Sequence, residues 1–128
     1  MSQPAIVVHL EEPARMNLLG LILRSLLTRN LAEPRLARRA LALRGAVAIQ
    51  AGDMQVGLCA EPGRLVIRRG APARPRASVR GSLPVFLDIA LGGSLLGPLL
   101  DGELHVGGNP LALLKLLPLI RARAARRG

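Results

Sequence analysis

Hydrophobic positions in the first third of the chain recur every three to four residues, which is the spacing of an amphipathic helix. Arg24 falls on one side of a 3.6-residue spiral, opposite six apolar residues: Leu18, Leu19, Ile22, Leu23, Leu26 and Leu27. A second, short helix is predicted from Pro34, whose fixed φ suits a first helical turn, and it should stop before Gly45. Two helices therefore precede the first predicted strand.

After these helices the period of the hydrophobic positions changes to two. The alternation predicts three consecutive strands, at Val47–Ala51, Met54–Ala60 and Leu65–Arg69. The turn sequences AGD (51–53) and EPG (61–63) separate them. We therefore expect an antiparallel meander with one buried face.

The second half of the chain predicts two more strands, each followed by a helix. A strand at Ala77–Arg80 precedes a helix that Ser82 should cap and that the glycine pair at 92–93 should end. A strand at Glu103–Gly107 precedes a strongly apolar helix that begins at Asn109-Pro110 and continues to about Leu117, where Pro118 should kink or end it.

The order of elements predicts an α+β fold, with a five-stranded, mostly antiparallel sheet covered on one face by helices. A chain of 128 residues fits one domain with a packed core. We divide it into an N-terminal extension (1–14), the domain (15–120) and a basic C-terminal tail (121–128).

Ala77 to Leu117 resembles the C-terminal half of a sterol carrier protein 2-like domain. In that family a short strand ends in Gly, a helix follows, then a strand G-x-L-x-V-x-G-D and an apolar helix; here these features are Gly81, Phe86–Gly92 and Gly102–Asn109. The hairpins of residues 45–67 are similar to the family's first three strands. Asn109 stands in place of the usual Asp, and it can cap a helix equally well.

The resemblance implies a hydrophobic tunnel between sheet and helices that accepts sterols, fatty acyl chains or other lipids. The composition agrees, because a chain with 50% hydrophobic residues and one aromatic fills its interior with aliphatic side chains, and a gap among these stays dry. The alternative for any one leucine is that it simply packs in the core. We expect the tunnel to be lined by Phe86, Leu87, Ala90, Leu91, Leu104, Val106, Leu113, Leu114 and Leu117.

Two functions follow as hypotheses. The first is non-enzymatic binding of a lipid or isoprenoid-like ligand, as a carrier. The second is an accessory or scaffold subunit of an isoprenoid-quinone (ubiquinone) biosynthesis assembly, since domains of this family occur in such accessory factors and the helix at Leu18–Leu27 looks similar to theirs. Neither function needs a cofactor, and the second implies enzyme partners.

The residues that carry chemistry do not form a catalytic or metal-binding pattern. His9, His105 and Cys59 are isolated in sequence, and neither Ser82 nor Ser94 lies in a G-x-S-x-G elbow. No phosphate-binding glycine motif is present. We therefore predict no enzyme activity and no metal, and we interpret His105 and its neighbour Glu103 as solvated strand residues.

The charge of the chain adds to the functional interpretation only at its C-terminal end. A net charge of +10 would suit an anionic partner, but a single phenylalanine without Trp or Tyr offers almost no stacking platform for nucleic acid. A lone cysteine and the absence of an apolar run long enough to cross a bilayer favour a cytoplasmic protein. The basic cluster is the tail, which either is a solvated helix end or contacts anionic membranes through Arg121, Arg123, Arg126 and Arg127.

Neutralising all four tail arginines should weaken binding to anionic vesicles. Each arginine contributes about 1 kcal/mol near such a surface, so the loss is up to about 4 kcal/mol at low salt, or nearly a thousandfold. Vesicle co-sedimentation with and without phosphatidylglycerol measures it, and the binding should fade as the Debye length falls from about 10 Å at 0.1 M salt to about 3 Å at 1 M. Equal sedimentation of the neutralised and parent proteins would identify the tail as a solvated helix end.

Overall fold

The computed structural model describes residues 6–91, 97 and 101–120, with the backbone alone at 89, 90, 113, 114, 117, 118 and 120. Six strands and four α-helices lie in these ranges. The strands are β1 (Val7–Leu10), β2 (Gly45–Ala51), β3 (Met54–Glu61), β4 (Arg64–Arg69), β5 (Ala77–Gly81) and β6 (Leu104–Gly108). The helices are α1 (Leu18–Asn30), α2 (Pro34–Leu41), α3 (Leu83–Ala90) and α4 (Pro110–Ile120), and a short 3-10 helix spans Pro13–Arg15.

The strands form one mixed sheet in the order β1-β4-β3-β2-β5-β6. The meander of β2, β3 and β4 is antiparallel, which confirms the prediction from alternation and turns. Antiparallel pairing also joins β5 to β6, whereas β5 runs parallel to β2 and β1 runs parallel to β4. The α+β fold class is confirmed.

Among the described residues the sheet has six strands instead of the predicted five, and three of its five strand pairings are antiparallel, in line with the prediction of a mostly antiparallel sheet. Residues 1–14 were expected to be an extension, but Val7–Leu10 lies in the sheet as an edge strand beside β4. The second parallel pair arises because the connection at 70–76 returns the chain past β3 to the free edge of β2. Turn chemistry fixes hairpins, but it does not specify such crossovers.

The core lies between one face of the sheet and the helices. Ile49, Leu58 and Ile67 are buried on three neighbouring strands, and Leu27 of α1 and Leu116 of α4 are buried against them. These side chains are aliphatic, and Phe86 is the only aromatic residue of the chain. Burial of this aliphatic surface is the main stabilising contribution to the fold.

The helix starts follow the predicted capping residues. Asn109 Oδ1 accepts the Leu111 backbone N–H at 2.9 Å, and Ser82 Oγ accepts that of Val85 at 3.4 Å. Helix α4 continues past Pro118 to Ile120 and does not end near Leu117. Burial of Leu116 and Leu119, on either side of the proline, favours this continuation.

Asn30, at the last position of α1, is a polar residue within this apolar core. It is 2% exposed, and its Nδ2 donates a hydrogen bond of 2.6 Å to the backbone oxygen of Leu119, which lies near the end of α4. Carbonyls in the last turn of a helix have no partner within the helix. The Asn30 side chain therefore satisfies a buried acceptor and joins two helices that are distant in sequence.

Replacing Asn30 with Ala should destabilise the fold by about 1–3 kcal/mol, because the Leu119 carbonyl loses its donor in a buried position. Thermal unfolding followed by circular dichroism should show a midpoint lower by several degrees. The comparison variant is Asn17→Ala, which removes the cap that accepts the Gly20 N–H and should cost about 1 kcal/mol. An unchanged midpoint for Asn30→Ala would contradict the role given to this residue.

Candidate functional site

Two residues predicted to line the apolar site lie together in the core. Phe86 of α3 is 8% exposed and Leu104 of β6 is 2% exposed. Both lie beside Gly81, where an added Cβ would be 3.4 Å from Phe86 Cε2 and 3.2 Å from Leu104 Cδ1. Gly81 thus leaves room for the Phe86 ring to pack against the strand pair β5 and β6.

Three further predicted residues lie at the surface. Val106 is 43% exposed, although its register opposite Val79 places its side chain on the helix-covered face of the edge strand β6. Leu87 and Leu91 are 39% and 85% exposed and lie one turn apart, joined by the hydrogen bond from Leu91 N to Leu87 O. The α3 and β6 region therefore presents aliphatic surface to solvent on the same side of the sheet as the core.

The other predicted site residues lie outside the described part of the structure. This holds for the side chains of Ala90, Leu113, Leu114 and Leu117, and for the tail residues Arg121, Arg123, Arg126 and Arg127. The tunnel that these residues were expected to complete stays a prediction. The described residues of α4 that face inward, Ala112, Leu116 and Leu119, are packed in the core.

On the opposite face of the sheet, which we call the outer face, Arg68 of β4 connects charged groups of three strands. Its Nε lies 3.0 Å from Glu11 Oε2 just after β1, and one of its Nη atoms lies 3.4 Å from Glu61 Oε2 on β3. The hydrogen bond to Glu11 raises the pKa of Arg68 above its ordinary value. The guanidinium therefore stays charged and links the edge strand to the meander.

Cys59 is half-buried beside this cluster, with its Sγ 3.7 Å from Arg68 Nη1. His9 and Cys59 both lie opposite Val66 on the outer face, one on each side of it, whereas His105 lies opposite Arg80 at the other end of the sheet.

Across the described residues, no three His, Cys, Asp or Glu side chains come close enough to hold a metal ion. In the same part of the chain, no helix is long and apolar enough to span a membrane.

Sequence comparison returned no match, either to a protein-family model or to a curated protein. Solved structures do match. One is described as "UbiJ-SCP2 Ubiquinone synthesis protein", with a TM-score of 0.63 and 18% identity over 86% of this chain and 91% of that chain.

Two insect proteins match to a similar extent. The sterol carrier protein domain 2 of Helicoverpa armigera gives a TM-score of 0.64 at 13% identity, over 83% of this chain and 91% of that chain. The palmitated SCP2L2 of Aedes aegypti gives 0.56 at 18% identity, over 82% and 96%. The chain has the fold of sterol carrier protein 2 domains, as the motifs between Ala77 and Leu117 predicted.

Proposed function

We propose that the chain binds a lipid with an acyl or isoprenoid chain between its sheet and its helices, near the place where α3 and β6 lie. The observation that carries the proposal is the aliphatic surface left open there. Leu87, Leu91 and Val106 are exposed on the side of the sheet that elsewhere is covered by helices. The fold comparison supports it, because one protein of the same fold is described as palmitated.

The mechanism is partitioning of apolar surface. Each methylene transferred from water contributes about 0.8 kcal/mol, so about ten methylenes give a gross driving force of roughly 8 kcal/mol before ordering costs. Phe86 and Leu104 would form the inner wall, with the exposed residues at the entrance. We include Ala90, Leu113, Leu114 and Leu117 in the lining. We propose no catalytic step, so the protein would deliver its ligand unchanged.

The ligand is best identified on the protein as purified. Native mass spectrometry should show a species heavier than the chain by the mass of one lipid, and solvent extraction followed by lipid analysis should identify it. Recovery of an acyl or isoprenoid lipid at near one molecule per chain is the expected result. A protein that carries no lipid and takes up none from added fatty acid would refute the proposal.

A second candidate function is supported by the match to the ubiquinone synthesis protein, which covers 91% of that chain. In this alternative the chain presents an isoprenoid intermediate to the enzymes of a biosynthetic assembly. Affinity purification of the full chain from its own cells distinguishes the carrier function from the accessory-subunit function. Stable recovery of biosynthetic enzymes favours the accessory subunit, whereas recovered lipid without enzymes favours the carrier.

We place the protein in the cytoplasm, with peripheral contact to the inner face of the membrane through the tail arginines. A basic segment beside an apolar helix suits an anionic surface, and each arginine adds about 1 kcal/mol there. Transient contact of this kind would let a carrier collect an apolar ligand from the bilayer. The vesicle experiment with the neutralised tail tests this part independently of ligand uptake.

Val106→Asp should weaken uptake of a fluorescent fatty acid while leaving the fold intact. Val106 is 43% exposed without ligand, so the carboxylate stays hydrated in the free protein, but a bound chain would cover it at a cost of several kcal/mol. We expect the affinity to fall at least about tenfold in a fluorescence titration.

The matched control is His105→Asp, the same new charge at the adjacent residue of β6 on the opposite face of the sheet. It should bind the fatty acid as the parent does. If Val106→Asp binds equally well, the ligand enters elsewhere. If both variants lose binding, the effect belongs to strand β6 as a whole and does not support an entrance at Val106.

A further inference from the structure

The outer face of the sheet, on the side away from the helices, carries a cleft. It has a volume of about 340 Å³ and lies over strands β2, β5 and β6, with Gln55 of β3 and Ala71 of the 70–76 connection at its border. We call it the outer cleft. Its volume is within the range of small-molecule sites, roughly 300–1,000 Å³.

The floor of the outer cleft is a row of small residues aligned across four strands. Ala48 lies opposite Gly57 on one side and Ser78 on the other, and Ser78 lies opposite Gly107. Pro72 packs on Gly57 at one end, where an added Cβ would be 3.1 Å from Pro72 Cδ. The floor between Pro72 and Gly107 is therefore flat and low, because directly opposite residues share a face of the sheet.

The next row across the same strands is polar and forms one wall of the outer cleft. Gln50 lies opposite Gln55 and Arg80, and Arg80 lies opposite His105. The two amides are held in place, since Gln50 Nε2 donates to Gly52 O at 3.0 Å and Gln50 Oε1 accepts from Gln55 Nε2 at 3.3 Å. This wall is thus fixed at one end by hydrogen bonds and cationic at the other.

Arg80, at the cationic end of the wall, makes no ion pair in the described structure, although the exposed Glu103 lies two residues before His105 on the same face. Arg80 and His105 are exposed, and the residues lining the outer cleft include no carboxylate. Among the described residues, the ion pairs of the outer face involve Arg64 and Arg68 and leave Arg80 unpaired. A guanidinium without a carboxylate partner, beside an imidazole on the opposite strand, is suited to an oxyanion.

We propose that the outer cleft binds a small planar carboxylate. The guanidinium of Arg80 holds the carboxylate, since its planar fork matches two carboxylate oxygens, and His105 lies within reach of the same group across the strand pair. The flat body of the ligand lies on Ala48 and Ser78. Because the site is on the face away from the helices, it can be occupied together with the apolar site and does not depend on it.

The probe is benzoate, added to ¹⁵N-labelled protein and followed by NMR. The expected result is saturable shifts of the backbone amides of Ser78, His105 and Gly107, with no comparable shifts in α1 or α2. Benzyl alcohol, which keeps the ring and lacks the charge, should cause none. Inorganic phosphate, which has the charge and lacks the ring, should bind at least about tenfold more weakly.

Two variants test the two parts of the site. Arg80→Gln keeps a polar, hydrogen-bonding side chain at this position and removes its charge, so benzoate should bind about tenfold or more weakly. Ser78→Leu fills the floor and should abolish the shifts. Arg35→Gln, an exposed arginine of α2, is the matched control and should bind benzoate as the parent does.

Three results would overturn the proposal. The first is benzoate titration without saturable shifts at Ser78, His105 and Gly107. The second is unchanged affinity in Arg80→Gln. The third is phosphate binding as tight as benzoate, because the recognised group would then be the anion alone. None of these results bears on fatty acid uptake, so failure here and failure of the proposed function are distinguishable.

Discussion

The parallel pairing of β2 with β5 is the contact on which the rest of the sheet depends. Val47 lies opposite Ala77 and Ile49 opposite Val79, and the pair is closed by hydrogen bonds from Arg76 N to Ala46 O (2.7 Å) and from Gly52 N to Gly81 O (3.0 Å). Before this pairing the chain is a three-stranded meander with β1 at its side. The last two strands, β5 and β6, join the sheet through it.

The same pairing determines what each face of the sheet carries. Alternate residues of β5 point to opposite sides, so Val79 contributes to the core while Ser78 and Arg80 lie on the outer face. A slip of one residue would exchange these two sets. The apolar interior and the polar outer cleft are therefore specified together by one register, although they serve different ligands in the functions proposed.

The sequence was informative where structure is local. Alternation and turn residues predicted the meander, and Ser82 and Asn109 marked helix starts because a cap acts on backbone groups two or three residues away. Strand β1 was missed, since VVHL is too short to show a period and its pairing with Arg64–Ile67 joins distant segments.

Exposure was the least predictable property of the candidate site. The spacing of apolar residues in α3 predicts that Leu87 and Leu91 face inward. Their exposure, however, depends on which other element packs on the helix. The spacing within α3 carries no information about that element. Val106 shows the same limit. Its register puts it on the covered face, yet it lies on an edge strand, where cover is incomplete.

Strand β1 has a further consequence for the behaviour of the protein in concentrated solution. It is held by a four-residue parallel ladder to β4, by burial of Leu10 in the core, and by the exposed pair between Glu11 and Arg68, of a kind that contributes at most about 1 kcal/mol. Behind it, Leu65, Val66 and Ile67 are almost fully buried. Transient detachment of β1 would expose an apolar strand edge able to pair with another chain, so these few N-terminal residues protect the protein against self-association.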